Sequence, residues 1–189
     1  MILPFQAGRH WTKLKAISYS LFFDQISISY DWQNPKDISF IKDLKHLKGL
    51  VIESAKSFDL TPIQDCDEVT YLNLACKLSK DTTLDISKLP ISTYLGADEA
   101  GLASIYQSKT VKKLTISGAR LKDFSKTNLV SLERLVIDGS KELESLKGLE
   151  KLENLRFVEL IRCPNIKNPT QYFDGDSRVH IYVNNNRLN

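Results

Sequence analysis

Residues 152–166 read LENLRFVELIRCPNI, and the spacing of apolar residues changes inside this one stretch. Leu152 and Leu155 are three apart, whereas Val158 and Leu160, further along, are two apart. No helical period runs through the segment, and it is too short to be a whole hairpin. A spacing of two belongs to an extended strand, in which alternate side chains share a face. A spacing of three belongs to a tighter, 3₁₀-like turn of chain with one buried edge.

The pattern apolar-x-x-apolar-x-apolar recurs along the chain. LKGLVIESA from Leu47, VTYLNLACK from Val69, VKKLTISGARL from Val111 and LERLVIDGS from Leu132 align with LRFVELIRC from Leu155. ISTYLGADE from Ile91 is a degenerate copy, and RVHIYVNNNRL from Arg178 departs only in its first position. The starts at 47, 69, 91, 111, 132, 155 and 178 are separated by 22, 22, 20, 21, 23 and 23 residues. Between them, Leu146, Leu149, Leu152 and Leu155 recur every third residue, as do Ile38, Ile41, Leu44 and Leu47. Such segments predict short helical or 3₁₀ returns between strands. Alternation sends Leu114 with Ile116, and Leu135 with Ile137, to one face of the strands. A single coil cannot bury that face alone, so neighbouring coils must stack.

On these residues the chain resembles the leucine-rich repeat, L-x-x-L-x-L-x-x-N/C-x-L, in its short bacterial, internalin-like form. The resemblance covers residues 36–189 and implies an α/β solenoid. Its expected form is a leucine-rich-repeat arc with a parallel sheet on the concave face and short helical or 3₁₀ returns. At the family's Asn/Cys position stand Ala55, Lys77, Ala119, Ser140, Cys163 and Asn186, of which the last two match.

Residues 1–35 fall outside the pattern and are expected to form an N-terminal β cap, with a hairpin about Asp24-Gln25 in AISYSLFFDQISISYDW. Aromatic rings crowd this end: Phe5, Trp11, Tyr19, Phe22, Phe23, Tyr30, Trp32 and Phe40. A solenoid must shield its terminal core and strand edge, which is what such a segment would do. NPKD at 34–37 marks entry into the leucine-rich-repeat domain, 36–189.

Of the 189 residues, 42% are hydrophobic and 26% charged, an ordinary globular balance, and the formal net charge is +3. That charge, with no basic run, argues against a nucleic-acid partner. No apolar run approaches membrane-spanning length, and the start MILPFQAGRHWTKLK lacks the apolar core of a signal peptide. Cys66, Cys76 and Cys163 form no CxxC pair, which suits a reducing, cytoplasmic setting.

Catalytic patterns are missing as well. His10, His46 and His180 accompany no nucleophile motif, and no HExxH, G-x-S-x-G or phosphate-binding glycine loop occurs. DGDS at 174–177 lacks the further ligands of a calcium loop and reads as a turn. The expectation is a protein that is not an enzyme and uses neither metal nor cofactor.

Functions of this fold usually use the strand wall. Its third, fifth and seventh positions include Tyr71, Asn73, Lys113, Arg134, Val136, Asp138, Phe157, Glu159 and Ile161, with Arg162 just beyond. Aromatic, apolar and arginine anchors with a polar surround suit a protein partner better than a nucleic acid. Neutralising an enzyme lies within the family's repertoire, and a small chain of this kind looks like immunity proteins that mask a cognate toxin. The acidic residues Glu53, Asp98, Asp138 and Glu159 would then face a basic cleft. The alternative is an adaptor or secreted effector domain; either way a monomer or a 1:1 heterocomplex is expected.

Overall fold

A computed structural model describes residues 16–20, 24–29, 38–44, 46–79, 83–97 and 100–188. Phe5, Trp11, Phe22, Phe23, Tyr30, Trp32, His10, Asp98 and the NPKD stretch lie outside them.

Among the described residues, ten strands form one open sheet in strict chain order. They are β1 Ala16–Ser20, β2 Gln25–Ser29, β3 Gly49–Phe58, β4 Tyr71–Leu78 and β5 Thr93–Ala97. β6 Lys113–Ser117, β7 Arg134–Asp138, β8 Phe157–Ile161, β9 His180–Val183 and β10 Asn186–Arg187 complete it. The terminal pairs β1–β2 and β9–β10 are antiparallel, and every pairing from β2 to β9 is parallel. The seven segments aligned in the sequence supply β3 to β9, and each strand begins at the third position of its segment. Those positions pair with one another: Gly49 with Tyr71, then Thr93, Lys113, Arg134, Phe157 and His180. The parallel sheet also extends one strand further than the alignment, because Gln25–Ser29 pairs in register with Gly49–Glu53.

Parallel strands need long crossovers, and here these are built from 3₁₀ turns. Among the described residues four short helices, η1 Ser39–Asp43, η2 Thr61–Asp65, η3 Ala100–Gln107 and η4 Leu149–Lys151, lie on the return paths. The three-residue leucine spacing has a direct cause in their hydrogen bonds. The amides of Leu149, Leu152 and Leu155 donate to the carbonyls of Leu146, Leu149 and Leu152, at 3.0 to 3.1 Å. Ile41, Leu44 and Leu47 repeat this chain on Ile38, Ile41 and Leu44, and Ile63, Cys66 and Val69 repeat it on Leu60, Ile63 and Cys66. A turn closed every three residues eclipses side chains three apart, so one apolar edge faces inward. Cys66 stands in the place a leucine holds elsewhere.

That edge meets the inward strand residues Leu50, Ile52, Leu72, Leu74, Leu114, Ile116, Leu135, Ile137, Val158 and Leu160, all buried, in one continuous core from Ile26 to Ile181. The degenerate fifth strand keeps this core filled in a different way. Tyr94, fully buried, takes the first inward position, and Gly96 takes the second, where β6 and β7 carry Ile116 and Ile137. A Cβ on Gly96 would lie 2.8 Å from both the Tyr94 hydroxyl and the Leu74 carbonyl oxygen. One large ring therefore occupies the space of two aliphatic side chains.

Polar groups under the strand ends are satisfied locally, as burial requires. Ser140, fully buried, donates from Oγ to the Ala119 carbonyl at 2.6 Å and accepts the Leu143 amide at 3.2 Å. A serine thus performs the bonding expected of Asn or Cys at that position. Cys163, one coil on, is half-buried, with Sγ 3.3 Å from the Ile161 carbonyl oxygen.

Three measurements follow from this packing. Leu135→Ala or Leu160→Ala should cost about 2–5 kcal/mol, read as a lower urea midpoint, because each empties a closed space in the core. Gly96→Ala should cost about 1–3 kcal/mol through overpacking. In a Tyr94→Leu background its added cost should fall by at least about 0.5 kcal/mol, and strictly additive midpoints would contradict the shared volume. Thiol reactivity provides the third. Burial, with Asp65 and Asp67 nearby, pushes the Cys66 thiol up to about 11, and burial also raises Cys163. Folded Cys66 favours the neutral thiol, so its contribution to stability is present below the unfolded value of 9.0 and is lost as pH rises through about 11. Alkylation of native protein at neutral pH should be slow at Cys66 and faster at half-buried Cys163.

Candidate functional site on the open sheet face

The outward positions of β6 to β9 gather most of the side chains that the sequence singles out. Arg134, Phe157 and Tyr182 stand on three successive strands of this face. The Arg134 guanidinium carbon lies 3.8 Å from the centre of the Phe157 ring. From the other side Tyr182 stacks on Phe157, with ring centres 5.0 Å apart and planes at 27°. Arg134 reaches the ring from β7 and Tyr182 from β9, the strands on either side of β8. A guanidinium over an aromatic face is attracted by the ring quadrupole, by about 0.5–1 kcal/mol where solvent reaches it. The larger effect is on order, since three side chains are held in one arrangement before anything binds.

Two acidic residues of this cluster, Glu159 and Asp138, are already engaged. Glu159 is only 14% exposed at its side chain and lies 3.7 Å from Arg134 Nη2. Asp138 accepts two hydrogen bonds from Arg162, through Nε at 2.8 Å and through Nη2. This fork-on-fork pairing fixes the guanidinium plane as well as its charge. Arg162 adopts φ 51, in the left-handed region where the equivalent residues of the preceding coils are Gly118 and Gly139. That conformation costs a residue with a Cβ about 1–2 kcal/mol. The Asp138 pairing, and the Arg162 amide donated to Asn184 Oδ1 at 3.0 Å, hold it there.

Arg162 and Asp138 also border an open recess of about 510 Å³ with Ser117, Gly118, Gly139, Lys141 and Pro164. Ile161 pairs in register with Asp138 from β8 but does not line the recess. Val136, half-buried, sits between Thr115 and Glu159 in the middle of the face. Lys113, exposed, pairs in register with Arg134.

Tyr71 and Asn73 share the outward face but not this cluster. They lie on β4, four strands from β8, or about 19 Å at the usual strand spacing. Val51, which alternation also places outward, is buried. Tyr182, the fifth residue of the segment from Arg178, is not among the site residues expected from the sequence, although the register puts it opposite Glu159. Lys141 was missed because it lies beyond the strand, where alternation says nothing. His180 accepts from Arg187 Nη2 at Nδ1, 2.8 Å away, which places the neutral ring's proton on Nε2.

Elsewhere, the Asp176 carboxylate of the DGDS stretch is taken by Arg178, with Nη2 at 2.6 Å, Nε at 2.9 Å and the amide at 2.9 Å. These bonds hold it below the usual carboxylate range. Among the described residues no group of three or more His, Cys, Asp or Glu side chains is placed to hold a metal ion, and no helix is long and apolar enough to cross a membrane. Comparison of the chain with protein-family models, with characterised proteins and with solved structures finds no match.

Proposed function

We propose that this chain is a leucine-rich-repeat protein of the short bacterial type, that it is not an enzyme, and that it binds another protein through the open sheet face. Within that class the favoured role is an immunity or inhibitor protein, which masks a cognate toxin enzyme in the cytoplasm. The register of β3 to β9, one strand for every 20 to 23 residues, supports the family reading.

The observation that carries the binding role is the Arg134–Phe157–Tyr182 stack. Anchors of binding energy are enriched in aromatic and arginine side chains held in fixed positions and ringed by polar groups. The ion pairs of Glu159 and Asp138 supply such a surround, and a half-buried Val136 adds an apolar floor.

The test is to co-express this chain with the product of the adjacent gene, and to score cell survival together with complex formation. Phe157→Ala should weaken that complex by at least about 2 kcal/mol, roughly thirtyfold, while leaving the thermal midpoint of the free chain nearly unchanged. A neighbour that is harmless and unbound would remove the immunity role and leave an adaptor or effector role in its place.

A further inference from the structure

Taking this face as the binding surface, we infer that the partner presents an acidic segment. Its carboxylates would meet Lys113 and Lys141, and an apolar side chain between them would rest on Val136 and the Phe157 edge. The inference rests on the protein-binding role proposed above and adds the chemistry of what is bound.

Charge bookkeeping on the face decides the sign. Glu159 is paired with Arg134, and Asp138 with Arg162, so neither carboxylate is available to a partner's cation without breaking an internal pair. Lys113 and Lys141 are exposed, and neither has an ion-pair partner among the described residues. A basic cleft docked here would set its cations against two uncompensated lysines, and like charges brought together at an interface cost several kcal/mol. An acidic segment meets them with opposite charge. Of the acidic residues that the sequence suggests for a basic cleft, Asp138 and Glu159 are therefore neutralised within this structure.

Distance fixes the length of the segment. Lys113 opens β6, and Ser117, four residues on, borders the recess that Lys141 lines. At strand rise that is about 13 Å, so an extended chain of roughly four to six residues would reach from Lys113 to the recess that Lys141 lines. Thr115 and Val136 lie between them, and both are half-buried, leaving a shallow apolar seat.

The same stack argues against single-stranded nucleic acid, which binds by laying bases on aromatic faces. Arg134 and Tyr182 both already pack on the Phe157 ring, so a base stacking there would have to displace one of them.

The experiment pans a random twelve-residue peptide library, displayed on phage, against the immobilised full chain. Selected peptides should be enriched in Asp and Glu about an apolar residue. Their affinity should fall about tenfold or more for the Lys113→Glu, Lys141→Glu double variant at low salt, and the gap should narrow at about 0.5 M salt. An unchanged thermal midpoint shows that the double variant folds. Enrichment in Lys and Arg, or no enrichment over a blank surface, would overturn the inference. So would tighter binding of a fifteen-nucleotide oligo-dT that the peptides fail to displace. Peptides that bind Phe157→Ala as well as the parent chain would instead place binding off this face, and so remove the surface proposed above rather than the sign of its partner.

Discussion

The carbonyl of the residue just before the strand, from β2 to β7, is the joint on which the sheet depends. The carbonyl of Lys48 accepts the amides of both Thr70 and Tyr71, at 2.8 and 3.0 Å. Thr70 does the same for Ser92 and Thr93, Ser92 for Lys112 and Lys113, Lys112 for Glu133 and Arg134, and Glu133 for Arg156 and Phe157. These shared acceptors set where each strand starts relative to the one before. A slip of one residue at any joint would turn that strand's inward leucines to solvent and its polar residues into the core. The Arg134–Phe157–Tyr182 column exists only because consecutive joints agree.

Charges outside the open face follow the same spacing. Lys42 pairs with Asp65, Lys48 with Glu68, Lys112 with Glu133 and Lys122 with Glu144, each across about one coil. All of these side chains are substantially exposed, and pairs of this kind contribute little each. Their effect is on choice of register more than on stability, since a shifted coil would set like charges side by side. On the open face the ion pairs hold arginines against an aromatic ring and a left-handed turn.

Much of this could be read from the sequence because it depends on period alone. The apolar residues at the first, fourth and sixth positions gave the strand starts, and the leucines spaced by three gave the 3₁₀ returns. What could not be read involves partners far apart in the chain or a substitution of one device for another. QISIS alternates like the other strands but lacks their leucines, so β2 passed for half of a hairpin and not also for a member of the parallel sheet. Tyr94 with Gly96 looked like a damaged copy, since a pattern of residue types does not record that two positions share a volume. Ser140 looked like a mismatch until its hydroxyl was seen bridging two coils. The Asp138–Arg162 pair joins residues 24 apart, a distance that acquires meaning only once the coil length is known.

The antiparallel hairpins at the two ends of the sheet bear on how such a wall changes length. β1 and β10 run against their neighbours, so among the described residues the outermost strand at either end does not continue the parallel pairing of β3 to β9. Growth by adding one more coil at an end would require that hairpin to be undone first. Duplicating a coil in the interior requires nothing of the kind, because each interior coil meets its neighbours through the same shared carbonyl. Of the two routes, lengthening through the middle leaves both antiparallel pairs intact.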